Sequence, residues 1–406
     1  TERDDDLQDP KEFIEFLISA NIRLVRLEFL LELHEDGKAL PRRQEAETMR
    51  TRNGDTALVE LHEYKKLLVN DATGRVSMPI AERTSASALT TVNFCAVSHV
   101  WEAMQHPDPW GFQLAQLAEK LGKRIGNGVT WVFLDYVSLF QFRRTPEEDH
   151  WFYKALDRMH ILYSHEAVEV TFLIDLTPEH CKSASEVLAF CEADSLVVLM
   201  SIASLQLNFT PYHLRGWCQA EKQWALLRGL LLAGCVPLSP QAFRQFMQGL
   251  RFTHRNDESV VYKLQEKVFK MKTSTTTHLQ LEKLDRVALE HLREALPYYT
   301  RLTHIAVNGT SLANDDAIAL LRSGASDIQM ENCGLHYAAA IIAETLLDQT
   351  TRALKQLNLR RNGIADLGPL LDVMQQRPDL VIEMTPQYLH GADEAGSAEC
   401  SARGSE

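Results

Sequence analysis

The sequence predicts an α/β protein in which a parallel-sheet domain follows a helical N-terminal region and precedes a C-terminal repeat. Short apolar runs alternate with amphipathic helical sequence between residues 90 and 240, as a parallel sheet with crossover helices requires. Helical sequence precedes this segment, and beyond residue 300 one apolar template recurs at intervals of 23, 29 and 25 residues. The predicted regions are a helical region at 1–89, the α/β domain at 90–240, a helical connector at 241–300, the repeats at 301–390 and a disordered tail at 391–406.

Composition narrows the class of protein. Of 406 residues, 45% are hydrophobic and 24% are charged, which is typical of a globular protein. With 42 Lys and Arg against 55 Asp and Glu, the net charge of -13 argues against nucleic acid or an anionic membrane as a partner. Seven scattered cysteines without CxxC spacing favour a reduced, cytoplasmic chain and no metal site. Since the sequence starts at Thr1 and not at a methionine, we expect residues upstream of it.

The N-terminal region is predicted to contain two helices. Asp9 precedes Pro10 and the capping-box residue Glu12, which indicates a helix start, and Gly37 follows the apolar run. These signals predict one long helix over 10–36. A second helix is indicated by Asp55 and by three leucines on one face, at Leu58, Leu61 and Leu68.

In the α/β domain, four apolar runs are short enough to be strands. They span Val92–Ser98, Val129–Asp135, Ala167–Ile174 and Ala233–Leu238. Helix starts follow the first two runs, at Asp108 and at the capping box that begins with Thr145. A mixed segment at 178–205 and a helix at 212–228 complete the domain.

The C-terminal template reads apolar-x-apolar-x-x-polar-x-apolar, which is leucine-rich-repeat spacing. Its four copies begin at Ile305, Ile328, Leu357 and, less regularly, Ile382. Each copy places a short strand on a concave face, and its polar residue is expected to bond the turn. Those polar residues are Thr310, Cys333 and Asn362.

Candidate site residues gather where predicted strands end. The sequence contains no GxGxxG, GxxxxGK[ST], HExxH or GxSxG pattern, so four common enzyme classes lack their residues. Ser98, Asp135 and Asp175 end the first three strands, and ligands bind parallel sheets beyond the carboxyl ends of their strands. On the later helix, Glu221 has an indole four residues before it and another three residues after it. Apolar neighbours of this kind raise the pKa of a carboxyl group.

Each of these residues also has a structural interpretation. Glu221 can be a solvated or ion-paired helix residue, and the flanking Trp217 and Trp224 can be core residues. Asp135 can cap the next element, and Arg215 can pair with a nearby acid. His99 can be a histidine buried at a strand end, and Cys218 can be a small residue on the helix face.

Four blocks of the α/β domain together resemble the heterokaryon-incompatibility domain. They are Phe94-Cys-Ala-Val-Ser-His-Val-Trp101, Trp131-Val-Phe-Leu-Asp135 with Gln141, Met159-His-Ile-Leu-Tyr163-Ser164 and Arg215-Gly-Trp217-Cys-Gln-Ala-Glu221. That family is related to the TIR fold, a flavodoxin-like parallel sheet in which a similar Trp-Cys-x-x-Glu helix carries the glutamate that cleaves NAD. The chain departs from the family at Ser138, Ala220 and Glu102, where Cys, Gln and Gly are common.

The resemblance implies a TIR-like signalling protein that cleaves the nicotinamide-ribose bond of NAD, acting in innate immunity or cell death. NAD or a related nucleotide is then a substrate, and no cofactor is implied. The implied site consists of Glu221 as the catalytic carboxylate and of Ser98, Trp101, Asp135, Arg215 and Trp217 as substrate contacts. The resemblance also implies self-association, and the repeats imply a protein partner. The alternative is a non-catalytic scaffold that uses the repeats and a self-associating α/β domain.

Overall fold

A computed structural model describes residues 6–79, 89–124, 128–228, 236–252 and 257–385. The chain divides into two compact units, Thr1–Thr275 and Thr276–Glu406. Helices of the first unit are α1 (Pro10–Ser19), α2 (Leu27–Glu35), α3 (Arg43–Ala46), α4 (Leu61–Tyr64), α5 (Phe112–Gly122), α6 (Asp135–Ser138), α7 (Pro146–Leu156), α8 (Ile161–Ser164), α9 (Gly216–Leu226), α10 (Pro240–Met247) and α11 (Asp257–Thr275). Its strands are β1 (Val25–Arg26), β2 (Leu68–Val69), β3 (Val76–Pro79), β4 (Leu89–His99), β5 (Val129–Phe133), β6 (Val168–Leu173), β7 (Glu186–Cys191) and β8 (Leu196–Ser201).

Three parallel strands form the centre of the first unit. β4 lies between β5 and β6 and pairs with both, so that Phe94 is opposite Trp131 on one side and Val168 on the other. Antiparallel strands complete the sheet: β1 pairs with β5, while β3 pairs with the first residues of β4 and with β2. The prediction of a parallel sheet built from the first three apolar runs is therefore confirmed.

Helices pack on both faces of β4 because its successive side chains point to opposite faces. Phe94 contacts the ring of Phe13 in α1 on one face. Cys95 and Val97 belong to the buried cluster that contains the α5 residue Leu114 on the other face. β4 is consequently buried over its last six residues.

The single helix predicted over 10–36 is wrong. α1 ends at Ser19, Asn21 adopts a left-handed conformation with φ of 49°, and the chain then runs extended into β1. Val25 pairs with Val132, so the apolar residues that continued the helical pattern belong to a strand edge. The second predicted helix is reduced to α4, because Leu58 forms a bridge with Val25. Leu68 begins β2.

Helix starts in the α/β domain are only partly as predicted. The capping box at Thr145 is confirmed: its hydroxyl accepts from the Glu148 backbone N–H, and the Glu148 carboxylate accepts from the Thr145 N–H. Asp108 instead accepts from the Leu114 N–H, inside α5, which begins at Phe112.

The later part of the unit also departs from prediction. The helix expected over 212–228 begins at Gly216, after a 3-10 turn at Tyr212–Leu214. The mixed segment at 178–205 contains an antiparallel hairpin of β7 and β8. Residues 233–235 of the predicted strand at Ala233–Leu238 lie outside the described residues, and 236–238 have no regular structure.

The second unit is a row of parallel strands with helices between them. Its strands are β9 (His278–Glu282), β10 (His304–Asn308), β11 (Asp327–Gln329), β12 (Gln356–Asn358) and β13 (Val381–Glu383). Its helices are α12 (Arg286–Ala295), α13 (Asn314–Leu321), α14 (Ala339–Leu346) and α15 (Gly368–Gln376). Each strand pairs in parallel with the next, so the four predicted repeat strands are confirmed.

The predicted helical connector at 241–300 is wrong from Thr276 onward, where the second unit begins. β9 and α12 lie within it, and β9 pairs with β10, so the repeat begins one unit earlier. Leu279 and Leu281 carry the apolar-x-apolar signal that marks this strand, and both are buried. The end of the fourth template copy and the predicted tail at 391–406 lie outside the described residues.

Buried polar side chains tie successive repeats together, as the template predicted. Asn362 is 1% exposed and accepts from the Cys333 backbone N–H at 2.7 Å. Its amide nitrogen donates to the carbonyls of Met330 at 2.7 Å and Leu359 at 2.9 Å. Thr310 similarly accepts from the backbone N–H of Leu284 at 3.1 Å.

Replacing Asn362 with alanine should strongly destabilise the second unit. At least three buried backbone groups would lose a partner, and we expect the free energy of unfolding to fall by about 3 kcal/mol. Urea unfolding of the full chain, followed by circular dichroism, measures the change. Gln356→Ala is the matched control because Gln356 is exposed on β12. Equal losses in the two variants would contradict a role for the Asn362 hydrogen bonds.

Candidate functional site

The candidate site lies where β4 ends, beside the residue that follows β5. Ser98 and His99 are the last two residues of β4, and both are buried. Because strand side chains alternate, Ser98 faces α9 and His99 faces α5. Asp135 begins α6, two residues after β5 ends, and contacts His99. The parallel pairing of β4 with β5 therefore brings three polar side chains to one edge of the sheet.

Glu221 of α9 reaches this edge through Ser98. Its Oε2 atom lies 2.5 Å from the Ser98 hydroxyl, which lies 2.7 Å from the hydroxyl of Tyr212. The Tyr212 hydroxyl donates to the backbone carbonyl of Cys218 at 2.9 Å. These four groups form one continuous hydrogen-bond chain, which we call the Glu221 chain.

Burial makes Glu221 a weaker acid than a solvent-exposed glutamate. Loss of hydration raises the pKa of Glu221 to about 8, with a further contribution from the charge of Asp135. The Ser98 hydroxyl, the charge of His99 and the hydroxyl of Tyr163 favour the ionised form but do not offset burial. Glu221 is therefore mainly protonated at neutral pH, although the residue remains partly exposed.

His99 and Asp135 form a second polar pair. His99 Nε2 lies 2.9 Å from Asp135 Oδ1, and His99 Nδ1 lies 2.8 Å from the side-chain oxygen of Gln113. The Gln113 amide nitrogen donates to the Val100 carbonyl at 2.7 Å, so its oxygen faces His99 as an acceptor. Both ring nitrogens of His99 thus face acceptors, which favours the imidazolium. Burial opposes this charge, but Asp135 and Gln113 outweigh it and raise the pKa of His99.

Asp135 is surrounded by hydrogen-bond donors. Besides His99, the Trp101 indole N–H donates to Oδ2 at 2.9 Å, and the Tyr136 backbone N–H donates to Oδ1 at 2.6 Å. Trp101 itself is partly exposed and packs edge-on against the ring of Tyr136.

Arg215 and Trp217 do not join this cluster. The Arg215 guanidinium is buried and donates to three backbone carbonyls, those of Thr210 at 2.7 Å, Trp101 at 2.7 Å and Asn208 at 2.9 Å. It holds the loop before α9 in place. Trp217 donates its indole N–H to Asp257 of α11 at 2.9 Å. The rings of Trp217 and Trp224 pack edge-on with their centroids 6.3 Å apart.

Sequence analysis missed Tyr212, Gln113 and Tyr163 as neighbours of the site. Tyr212 lies in irregular sequence, and no spacing signal connects it to Ser98. Gln113 lies on the face of α5 that packs against His99. The alternation of side chains along β4 is the signal that could have identified this face. Glu102 is also fully buried, where it accepts from the backbone and hydroxyl of Thr177.

Two surface concavities lie elsewhere in the first unit. One, of about 410 Å³, lies between α2 and α5. The other, of about 720 Å³, is lined by residues 6–8 and α11. Within the described ranges, no three His, Cys, Asp or Glu side chains gather as metal ligands would, and no helix is long and apolar enough to cross a membrane.

No family model matches the chain, and no curated protein or solved structure matches it either. The fold class that the structure supports is mixed α/β, with parallel strands and packed helices.

Arg215→Ala should destabilise the first unit without any ligand present. Three carbonyls that Arg215 now satisfies would lose their donor, so we expect the free energy of unfolding to fall by about 3 kcal/mol. Chemical unfolding measures this loss. Arg251→Ala is the control, since Arg251 is exposed and makes one long contact with Thr210. A loss below about 0.5 kcal/mol for Arg215→Ala would refute the structural role.

Asp135→Asn should lower the pKa of His99. The carboxylate that favours the imidazolium would be gone while burial would remain, so the pKa should fall below 6.5. In the native chain, the pair stabilises the fold below the unfolded pKa of histidine, and this stability is lost as pH rises through the raised pKa. NMR titration of the imidazole in the native chain and in Asp135→Asn measures the pKa of His99.

Asp175→Asn is the matched control for that titration. Asp175 lies just beyond β6 and is exposed, and it contacts Gln116 rather than His99. An unchanged His99 titration in Asp135→Asn would show that the ion pair does not set the pKa.

Proposed function

We propose that the first unit cleaves the nicotinamide-ribose bond of NAD or a related nucleotide, with Glu221 as the catalytic carboxyl group. The observation that carries this proposal is the position of Glu221, hydrogen-bonded to Ser98 at the carboxyl end of β4. Ligands bind parallel sheets at this edge. The Asp135 carboxylate lies at the same edge through its contact with His99.

Breaking an N-glycosidic bond develops positive charge on the ribose. A carboxylate held in a site with little water stabilises that charge strongly. Nicotinamide leaves as a neutral molecule, so this bond requires no proton donor. Glu221 in its ionised form and Asp135 are both suited to this role, and Trp101 at the partly exposed rim offers a flat surface for a ring.

The class proposed for the chain is a TIR-like signalling protein with leucine-rich repeats. Support for the α/β part comes from the order β5-β4-β6, which a flavodoxin-like sheet shares. Support for the repeats comes from the Asn362 hydrogen bonds and from the polar sheet face, where a protein partner is proposed to bind. Exposed residues on that face include His278, Gln280, Glu282, Gln356 and Glu383.

Self-association is proposed through the hairpin of β7 and β8. Leu188 and Leu199 are paired across the two strands and are 54% and 60% exposed. Paired apolar side chains on an isolated hairpin favour contact with another surface.

A non-catalytic scaffold is the second candidate function. Arg215 and Trp217 were expected to contact a substrate, but Arg215 donates to the Trp101 carbonyl and Trp217 donates to Asp257 of α11. These contacts within the fold favour a scaffold. In this case the hairpin and the repeats would be the functional surfaces.

Nicotinamide release from NAD distinguishes the two functions. We expect release by the full chain at high protein concentration, and at least a 100-fold loss in Glu221→Gln. Because the carboxylate form acts on NAD, release should rise with pH through about 8. Glu15→Gln, at an exposed position of α1, should retain the native rate. Equal release from Glu221→Gln, or none from the native chain, would favour the scaffold.

A further inference from the structure

Two histidines lie side by side on the polar face of the sheet in the second unit. His278 is the first residue of β9 and His304 is the first residue of β10, and the parallel register places them directly opposite each other. Their ring centroids are 5.6 Å apart, and the two ring planes are inclined by 32°. His278 is exposed and His304 is partly exposed, so a solute can reach both rings.

Each of the two rings is held by a hydrogen bond at its Nδ1 atom. His304 Nδ1 lies 2.9 Å from Oδ2 of Asp327, the residue opposite His304 on β11. Because the Asp327 carboxylate only accepts, Nδ1 of His304 carries the proton, and its Nε2 presents a lone pair. His278 Nδ1 lies 2.9 Å from the hydroxyl of Thr277, which can accept from His278 in the same way.

The Nε2 atoms of the pair remain available to a ligand. Neither of them has a hydrogen-bond partner among the residues that the structure describes. Asp327 lies on one side of His304 and His278 lies on the other, so the contact with Asp327 leaves Nε2 as the ring nitrogen away from β11. Two imidazole nitrogens are therefore offered from the same face of the sheet.

The spacing of the two rings is close to that of histidines bound to one metal ion. Bonds from zinc to an imidazole nitrogen are about 2.0–2.1 Å long, so two imidazoles on a tetrahedral ion have ring centroids about 5 Å apart. The observed separation of 5.6 Å reaches that value after a small rotation of either side chain. A carboxylate at the Nδ1 atom of a metal-bound histidine is a common supporting contact, because it fixes the ring and makes Nε2 a stronger ligand.

We propose that His278 and His304 bind one Zn²⁺ ion through their Nε2 atoms, with Asp327 as a positioning residue behind His304. Imidazole nitrogen suits zinc, whereas Ca²⁺ and Mg²⁺ prefer oxygen ligands. Since the described residues bring no third His, Cys, Asp or Glu ligand to the pair, water completes the coordination. The ion would link the first two strands of the repeat, and the site does not depend on the proposed cleavage of NAD.

Isothermal titration calorimetry of the metal-free full chain with Zn²⁺ tests the site. We expect the native chain to bind one zinc ion more than His278→Ala or His304→Ala, because each variant keeps only one of the two ligands. The native chain should not bind Mg²⁺ at this site. The same zinc binding in the native chain and both variants, or no zinc binding at all, would overturn the proposal.

His336→Ala is the matched control for the calorimetry. His336 is an exposed histidine of the same unit, between β11 and α14, and it contacts the Gly363 carbonyl. We expect this variant to bind zinc as the native chain does. Loss of one zinc ion in His336→Ala as well would show that the effect is not specific to the pair and would contradict the site.

NMR spectra of the imidazole groups show which rings hold the ion. Adding Zn²⁺ to the full chain should shift the signals of His278 and His304 together, at one ion per chain, and leave the signal of His336 in place. Shifts confined to other histidines would place the zinc elsewhere and would overturn the proposal.

Asp327→Ala tests the positioning role. Both ligands remain in this variant, so we expect the same number of bound zinc ions with an affinity about 10-fold lower. Asp327→Asn keeps a side-chain oxygen that accepts from Nδ1 of His304, and it should recover part of the lost affinity. An unchanged affinity in Asp327→Ala would contradict the role of Asp327.

Discussion

The last two residues of β4 hold the candidate site together, because a strand turns consecutive side chains to opposite faces of its sheet. Ser98 reaches Tyr212 and Glu221 on one face, and His99 reaches Gln113 on the other. β4 pairs with strands on both sides, so its backbone fixes these side chains before any substrate arrives. The Glu221 chain and the His99–Asp135 pair involve different helices, and they meet at the end of β4.

Glu221 and Asp135 have different hydrogen-bond partners. The Glu221 chain runs from the carboxyl group, which accepts from Ser98, through Tyr212 to the Cys218 carbonyl. Asp135 accepts from the Trp101 indole N–H and from the Tyr136 backbone N–H. His99 also donates to Asp135, because the Gln113 side-chain oxygen accepts from the other ring nitrogen. Burial raises the pKa of Glu221 to about 8.

Sequence patterns predicted the elements whose side chains repeat regularly. The parallel strands were predicted from the length of their apolar runs. The capping box at Thr145 was also predicted, because a helix cap depends only on neighbouring residues. The break after α1 was not predictable from hydrophobicity, because the residues that pair β1 with β5 continue the helical pattern. Arg215 and Tyr212 were beyond sequence analysis for a related reason: their partners lie in irregular backbone that no period locates.

Unused hydrogen-bonding capacity distinguishes Glu221 from the other charged residues proposed for the site. The Arg215 guanidinium donates to three carbonyls, and its burial leaves it little to offer a ligand. In its ionised form a carboxyl group accepts about four hydrogen bonds. Glu221 contacts Ser98 through Oε2 and receives one further contact from Tyr163. A group that is desolvated, incompletely bonded and still partly exposed is one that a substrate can engage, which is why the proposed chemistry centres on Glu221.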